Sequence, residues 1–345
     1  MRERAAPPDS LFDLEPESHA PHSVKGVRPD EALARLGRRL PADVFLGTSS
    51  WSFLGWQGIV YDGSYSESQL ARTGLEAYSQ HPLLRTVGID RSYYQPLCAS
   101  DYARYARQVP ANFRFVVKAP ARVTDAALRS ERGAPTAANP DFLDASIAAN
   151  EFVRPALEGL GANAGPLLFQ FPALPPELTT GPGAHETIDR IGAFLSSLPN
   201  DDAEQPSIYA VELRNGELLT PRFIRVLRVA GARLAIGVHT RMPAAARQAA
   251  ALRSLDAPDQ GSQEWQLTGP LVARWNLGAG QRYDDARQRY APFDRIVDPD
   301  IVTRGALAHL VHVAQRSSQP SFIIANNKAE GSAPLSLIEL ARAIV

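Results

Sequence analysis

Residues 207–214 read Ser-Ile-Tyr-Ala-Val-Glu-Leu-Arg, a short apolar run that ends in two charged side chains. Because side chains alternate between the two faces of a strand, one face carries a tyrosine, a valine and a leucine. The other face begins with an isoleucine and an alanine and continues with Glu212 and Arg214. The first face suits burial under helices, and the second changes from apolar to charged towards the carboxyl end. This pattern is typical of a barrel strand with one face lining the interior.

Seven other runs of this kind occur along the chain, separated by longer segments in which apolar residues have helical spacing. The eight predicted strands cover residues 44–47, 84–89, 113–117, 166–171, 207–213, 233–238, 271–275 and 322–325. Helices are predicted at 141–160, 186–198, 221–230, 302–316 and 334–344. Eight strand–helix repeats within about 300 residues predict an α/β fold, namely a TIM-like (β/α)8 barrel.

A doubly wound open sheet is the alternative that the same alternation allows. Such a sheet would bind a nucleotide through a glycine-rich first turn. Residues 47–51 read Gly-Thr-Ser-Ser-Trp, which lacks the GxGxxG spacing, and no GxxxxGK[ST] motif occurs in the sequence. The barrel is therefore the preferred prediction.

The composition is that of an ordinary soluble globular protein. The 345 residues are 44% hydrophobic and 21% charged, and 36 basic side chains against 37 acidic ones give a formal net charge of −1. This balance creates no overall field for a polyanion, so nucleic-acid and membrane-surface binding are disfavoured as general functions. The single cysteine, Cys98, cannot form an internal disulfide. Since there is also no apolar signal segment and no run of about 18 apolar residues, we expect a cytoplasmic location.

The first part of the chain differs in character from the rest. Residues 1–42 hold six prolines and little periodicity, which predicts a flexible N-terminal extension. Within it, residues 30–40 carry an apolar stripe at helical spacing, which we expect to dock on the main domain. Residues 43–345 are predicted to form one barrel domain.

Polar side chains follow the carboxyl ends of seven predicted strands, all on the face that would line the barrel interior. They are Asp90, Lys118, Gln170, Glu212, Arg214, His239, Arg274, Asn276, Asn326 and Lys328. The carboxyl ends of the strands form the mouth of a (β/α)8 barrel, where the active site of such enzymes lies. One polar strand end alone would mean little, because every strand must end near solvent. Seven in the same register predict a shared pocket.

Four of these side chains are cationic and two are carboxylates, so a small anionic ligand is the expected partner. Loops after the last two strands of a barrel often bind phosphate. Residues 330–334 read Glu-Gly-Ser-Ala-Pro and open a predicted helix. With Ser332 as its N-cap, the free amides there could bind a phosphate or a carboxylate, and an ordinary capped loop is the alternative.

Glu212 is the best candidate for general acid/base catalysis, because desolvation at the end of an apolar strand would raise its pKa. Asp90 is its candidate partner. Lys118 could stabilise developing negative charge or form a Schiff base, and it is one of only three lysines among the 36 basic residues. A structural ion pair of Glu212 with Lys118 or Arg214 is the alternative. His239 could relay a proton.

The other candidate residues bind substrate rather than react with it. The predicted substrate-binding residues are Trp51, Gln170, Arg214, His239, Arg274, Asn326, Asn327 and Lys328. Trp51 belongs to a group of aromatic residues after the first two strands that could stack on a sugar or base, or form a hydrophobic plug. The carboxylates and histidine of the mouth lie among several cations, which argues against a metal site, and no cofactor is predicted.

Several short motifs, taken together and in order, resemble the YecE-like family, also described as domain of unknown function 72. They lie at residues 47–52, 92–94, 113–120, 168–172, 210–214 and 326–327. The resemblance implies a TIM-barrel-like fold from about residue 44 onwards and supports the cluster at the mouth, but it implies no reaction. The chain departs from the family pattern at Gly88, Asp125 and Asn276, where the family usually has a glutamate and two histidines. These departures raise the possibility of an altered or inactive member.

Three functions remain open at this point. The leading prediction is a metal-independent enzyme, such as a lyase, isomerase or hydrolase, that uses acid/base chemistry on a small phosphorylated or sugar-like anion. Because fold does not fix function, a nucleic-acid binding or processing protein is a second hypothesis. A non-catalytic small-ligand sensor, favoured by the departures from the family pattern, is the third.

Overall fold

The computed structural model describes residues 23–131, 133–200, 207–256, 264–278 and 281–345. The strands in these ranges are β1 (Val44–Thr48), β2 (Leu84–Ile89), β3 (Arg114–Lys118), β4 (Ala127–Arg129), β5 (Pro135–Ala138), β6 (Ala164–Gln170), β7 (Tyr209–Glu212), β8 (Arg233–Val238), β9 (Leu271–Trp275) and β10 (Ser321–Ala325). All except β4 and β5 join a closed parallel barrel in chain order, with β10 pairing β1. The predicted (β/α)8 barrel is thereby confirmed. Strands β4 and β5 form a separate antiparallel hairpin at the mouth.

Helices connect the strands and cover the barrel. They are α1 (Glu31–Arg39), α2 (Glu67–Ser79), α3 (Arg91–Tyr94), α4 (Ala99–Ala106), α5 (Ala121–Thr124), α6 (Ala145–Ala148), α7 (Arg154–Leu160), α8 (Pro176–Thr179), α9 (Gly181–Ser196), α10 (Pro221–Val229), α11 (Ala245–Asp256), α12 (Tyr283–Tyr290), α13 (Ile301–Arg316) and α14 (Ala333–Ile344). The helix predicted at 141–160 is divided, because a π-helical turn at Ala149–Val153 separates α6 from α7. Pro155 follows that turn, and a proline ring is incompatible with the carbonyl four residues earlier in a regular α-helix. Among the described residues, no helix is long and apolar enough to cross a bilayer.

Two apolar clusters lie on opposite sides of the barrel wall. The inner cluster consists of Val116, Leu168, Ala210, Ala235, Val272, Phe322 and Ile324. Near the amino ends of the strands, Phe45 packs against it and stacks on Phe322 with ring centroids 4.8 Å apart. The outward-facing residues of the same strands belong to the larger core beneath the helices. This separation confirms the predicted assignment of strand faces and gives the mouth an apolar floor.

Residues 23–42 lie against the barrel. Val24, Leu36 and Leu40 are buried, so the docking predicted for residues 30–40 is confirmed. Arg85 on β2 fixes the end of α1, since its guanidinium donates to the carbonyl of Gly37 at 2.8 Å. The predicted extension therefore does not continue as a free segment to residue 42. Its residues 1–22 lie outside the described residues.

The contact between β1 and β2 explains a glycine inside the barrel wall. A Cβ atom on Gly47 would lie 1.8 Å from the carbonyl oxygen of Thr86, and the pairing register shifts at this point. A side chain here would push the two strands apart. Gly47 therefore allows the close approach that brings Thr48 and the following loop to the mouth.

Candidate functional site

Glu212 ends β7 and lies fully buried at the centre of the mouth. Its Oε1 pairs with Arg214 Nη2 at 2.7 Å, and its Oε2 pairs with Arg274 Nη1 at 2.9 Å. Asn276 Nδ2 also donates to Oε1, at 3.3 Å. Gly237 on β8 leaves room for the carboxylate, because a Cβ atom there would come within 3.1 Å of Glu212 Cγ. The carboxylate is thus enclosed by two guanidinium groups and an amide.

These two guanidinium groups decide the ionisation of Glu212. Burial raises the pKa of the carboxyl, but Arg214 and Arg274 together outweigh burial and hold the pKa below its usual value. The prediction that desolvation would leave Glu212 with a raised pKa is therefore wrong. The alternative, an ion pair with Arg214, is present. A carboxylate that stays ionised is a poor general acid, and its geometry suits it to holding two arginines in place.

Arg274 connects the ends of several strands. Besides Glu212, its Nη1 donates to Gln170 Oε1 at 2.7 Å, and its Nη2 lies 3.4 Å from Asp90 Oδ2. Gln170 also accepts a longer bond of 3.5 Å from Arg214 Nη2. The pairing of β6 with β7 places Gln170 beside Glu212. The structure therefore joins these five predicted residues in one group, here called the mouth network.

Lys118 ends β3 beside the mouth network and is 9% exposed. Its Nζ lies 3.6 Å from the centroid of the Tyr93 ring. Burial is the main cause that lowers the pKa of this amine to about 8, with Asp90 acting in the opposite direction. Its backbone is fixed by Ser92 Oγ, which donates to the carbonyl of Lys118 at 2.7 Å. In the part of the chain that the structure describes, the amine has no hydrogen-bond or ion-pair partner.

A second lysine lies after the end of another strand and under a second tyrosine. Lys328 follows β10, is largely buried, and places its Nζ 4.3 Å from the Tyr283 ring centroid. The neighbouring Asn326 accepts from the Lys328 amide at 3.0 Å and donates to Ser49 Oγ at 2.9 Å. Asn326 therefore holds the loops after β1 and β10 together at the rim.

Asn327 points away from the mouth. Its Oδ1 accepts from the indole of Trp56 at 3.2 Å and from the amide of Ala333 at 2.8 Å. The second bond caps α14, and Ser332 occupies the N-cap position without a side-chain bond. Residues 329–334 are buried. The predicted anion site in this loop is therefore wrong, and the alternative of a capped loop is what the structure has.

Trp51 and His239 are not hydrogen-bonded to the mouth network. The Trp51 indole donates to the carbonyl of Leu70 at 3.0 Å and packs edge-on against Tyr105, within the outer core. This position beneath the helices is neither that of a ring free to stack on substrate nor that of a plug closing the barrel. His239 is half-buried after β8, and burial, followed by the charge of Arg214, lowers its pKa to about 4. The imidazole is neutral near pH 7 and can accept a proton only weakly.

The sequence does not predict the rings over the two lysines as site residues. Tyr93 is one of the aromatic residues that follow the first two strands, and Tyr283 lies on α12, where no strand periodicity points to the mouth. Tyr93 also forms one wall of a cleft of about 410 Å³ that includes Arg122, Arg129 and the β4–β5 hairpin. Tyr93 therefore separates the Lys118 amine from this neighbouring cleft.

The three residues that depart from the family pattern lie in different surroundings. Asn276 donates to Glu212, so it takes part in the site. Asp125 pairs with Arg129 and supports the hairpin. At Gly88, a Cβ atom would lie 3.3 Å from the Ser49 backbone, which leaves little space for a side chain. Among the described residues, no group of three histidine, cysteine, aspartate or glutamate side chains could hold a metal ion.

Comparison with known proteins adds a family and a fold. The family model "Protein of unknown function DUF72" matches residues 45–345. A DUF72 family protein from Enterococcus faecalis, solved at 2.52 Å, is 17% identical with a TM-score of 0.54, covering 87% of this chain and 97% of that chain. One from Thermotoga maritima, solved at 2.20 Å, is 18% identical with a TM-score of 0.54, covering 87% and 98%. No curated protein matches the chain. At these identities the solved structures support the barrel fold alone.

Proposed function

The chain belongs to the DUF72 family, and we propose that the barrel mouth of this member is the active site of an enzyme that acts on a small anionic substrate. Lys118 is the group that moves a proton, and the guanidinium groups of the mouth bind the anion. The observation that carries this proposal is the buried amine of Lys118, which has no polar partner among the described residues and lies beside the Glu212 carboxylate, whose two oxygens are both bound by arginine. The reaction as proposed requires no metal ion.

The charge balance of the site supports an anionic ligand. The cations Lys118, Arg214, Arg274 and Lys328 outnumber the carboxylates Asp90 and Glu212, four against two. One nitrogen of the Arg214 guanidinium, Nη1, is buried and has no hydrogen-bond partner within the described ranges of the chain. A buried donor without a partner costs stability, and an oxygen of a phosphate or carboxylate would satisfy it. The ligand's anionic group is therefore placed next to Arg214.

Proton transfer is assigned to Lys118 rather than to Glu212. A group with a pKa of about 8 exists in both protonation states near neutral pH, which is the condition for efficient general acid/base catalysis. Glu212 is held ionised by two arginines. Asp90 is the other carboxylate of the mouth, and its side chain is 38% exposed, so we assign it proton exchange with water and, through a water molecule, with the amine. Glu212 then serves as a positioning residue for Arg214 and Arg274.

A ligand sensor without catalysis is the second candidate. It is favoured by the engagement of Glu212, because the carboxylate predicted to be the catalytic acid is bound at both oxygens by arginine. A sensor would bind the same small anions through the same cations. The two candidates differ only in whether bound ligand is converted.

The test combines binding and turnover on four proteins, namely the wild type and the variants Arg214→Met, Arg225→Met and Lys118→Met. Isothermal calorimetry with sugar phosphates, 2-oxo acids, nucleotides and short oligonucleotides compares the wild type with Arg214→Met. The matched control is Arg225→Met, which removes the same charge from the exposed side of α10. Loss of a charge-assisted bond of about 2–3 kcal/mol predicts about 30- to 150-fold weaker anion binding for Arg214→Met and no change for the control.

The outcomes separate the candidate functions. Conversion of the bound anion by the wild type, lost in Lys118→Met while affinity stays within a few-fold, supports the enzyme. Tight binding without conversion supports the sensor. Binding of oligonucleotides alone, with steep weakening by salt, would replace both with a nucleic-acid function. If no anion binds, or if Arg214→Met binds as well as the control, the anion site does not exist.

A further inference from the structure

The proposed active site also contains a feature that anion binding does not explain, namely a lysine amine kept away from the carboxylates around it. We propose that Lys118 is a Schiff-base lysine, whose amine condenses with the carbonyl group of a small anionic aldehyde or ketone. The inference rests on the proposed function for the anion site. It adds the chemical class of the substrate and a covalent bond to it.

Of the two carboxylates near Lys118, Glu212 is fully occupied and Asp90 is engaged at one oxygen. Both oxygens of Glu212 are bound by arginine, and Asp90 Oδ2 lies 3.4 Å from Arg274. A lysine whose task is to neutralise charge would pair with one of these groups. Instead, among the described residues, its Nζ contacts only the face of the Tyr93 ring, at 3.6 Å. This arrangement leaves the nitrogen free to attack an electrophile.

The surroundings also favour the uncharged amine that such an attack needs. Burial lowers the pKa of Lys118 to about 8, and the arginines at 214 and 274 act in the same direction, whereas Asp90 and Glu212 act against it. At pH 7 about a tenth of the amine is then neutral, compared with fewer than about one in a thousand at its ordinary value of 10.5. Tyr93, on α3, covers the amine from the side of the neighbouring cleft.

The condensation can be written with atoms and charge in balance. The Lys118 ammonium gives a proton to Asp90 through an intervening water molecule, and the nitrogen lone pair forms an N–C bond to the carbonyl carbon as the C=O π bond breaks. A proton moves from nitrogen to the former carbonyl oxygen, which gives a neutral carbinolamine. Asp90 then returns its proton to the hydroxyl, the C–O bond breaks and water leaves. The product is a protonated imine with the single positive charge of the original ammonium.

The anionic part of the substrate is placed by the free guanidinium nitrogen of Arg214 and by the second lysine, Lys328. Two kinds of molecule share the required chemistry of a carbonyl near an anionic group. They are a 2-oxo acid, in which the carboxylate adjoins the carbonyl, and the open-chain form of a sugar phosphate. The experiment separates them by using one probe of each kind.

The sequence makes the covalent bond easy to locate, since the chain has only three lysines, Lys25, Lys118 and Lys328. The full-length protein is incubated at pH 7 with pyruvate or with glyceraldehyde 3-phosphate in the presence of sodium cyanoborohydride, which reduces an imine to a stable secondary amine. Mass spectrometry of the intact protein and of its peptides then measures the added mass, which equals the carbonyl compound less one oxygen atom. Acetone, at the same concentration, is the neutral carbonyl control.

We expect labelling of the Lys118 peptide by at least one of the two anionic probes, at least about tenfold above that of the exposed Lys25 peptide, and little labelling by acetone. Lys118→Arg, which keeps the charge but cannot form an imine, is expected to lose this labelling. Lys25→Arg is expected to retain it. Circular dichroism establishes that both variants are folded.

The possible failures are distinct. Equal labelling of all three lysines, or unchanged labelling in Lys118→Arg, overturns the assignment of Lys118. Absence of labelling by a probe that binds in calorimetry overturns the Schiff base and leaves the proposed anion site intact. Absence of both labelling and anion binding overturns the inference together with the proposed function.

Discussion

Replacing Glu212 with glutamine tests whether the buried carboxylate holds the mouth together. The substitution keeps the size of the side chain and one oxygen acceptor, but it removes the charge between two guanidinium groups. Both are poorly solvated, with side chains 12% exposed for Arg214 and 6% for Arg274. Removal of one partner from a buried ion pair costs about 3–5 kcal/mol, because the remaining charge has no compensation.

The lower end of this range is expected here. The glutamine oxygen can still accept from one arginine, and Asp90 stays near the other guanidinium at 3.4 Å. We therefore expect Glu212→Gln to lower the free energy of unfolding by about 3 kcal/mol, which is roughly a hundredfold change in the folding equilibrium. Urea unfolding at pH 7, followed by circular dichroism with linear extrapolation, measures this difference. Glu186→Gln, on the exposed face of α9, is the matched control and should change stability by less than about 0.5 kcal/mol.

The pH dependence of the same difference gives a second readout. Because the folded-state pKa of Glu212 lies below its ordinary value of 4.5, its stabilisation is complete above about pH 4.5 and disappears as the pH falls through the folded value. The gap between wild type and Glu212→Gln should therefore be full at pH 7 and narrow on acidification. A loss of less than about 1 kcal/mol at pH 7, or a gap that does not narrow in acid, would refute the reasoning.

Three further predictions address other parts of the structure. The carbon-13 signal of reductively methylated Lys118 should titrate near pH 8, and a midpoint near 10.5 would contradict the burial argument. Glu212→Gln should lower this midpoint, because it removes a carboxylate that raises the pKa of Lys118. Gly47→Ala should destabilise the protein by about 3 kcal/mol in urea unfolding, because the new Cβ atom would lie 1.8 Å from a carbonyl oxygen of β2. The control Gly305→Ala, which has open space around it, should leave stability unchanged or increase it. Asn327→Ala should cost about 1–2 kcal/mol in the same assay, because two buried N–H groups lose their acceptor; a change below about 0.5 kcal/mol would show that water replaces it.

The barrel was predictable because its signal is periodic and local. The alternation in residues 207–213 assigns each side chain to the interior or to the helix-facing surface without knowledge of any other strand. The same rule collected Gln170, Glu212 and Arg274 at one end of the barrel, and the structure joins them. Parity thus identifies which side chains share a face, and the count of charged residues on that face gives its net charge.

Neither parity nor charge identifies which groups bond to one another. The sequence suggested burial for Glu212 and hence a raised pKa, but the sign depends on two arginines within 3 Å, which no spacing rule supplies. Asn327 adjoins a mouth residue in sequence, yet its side chain turns to the indole of Trp56, 271 residues away. Tyr283 lies over Lys328 because of the course that the chain takes in space after β9. Such contacts between distant segments are fixed by the tertiary fold.

The apolar floor beneath the mouth has a kinetic consequence. The inner cluster, from Val116 to Ile324, packs the barrel below the charged groups, and Phe45 stacks on its member Phe322. A barrel interior packed in this way is no channel, so a ligand can reach the charged groups only from the carboxyl ends of the strands. Substrate, water and product would have to pass the same rim in turn. An anionic product would then compete with fresh substrate for the same cations, and product inhibition of the competitive type should accompany turnover.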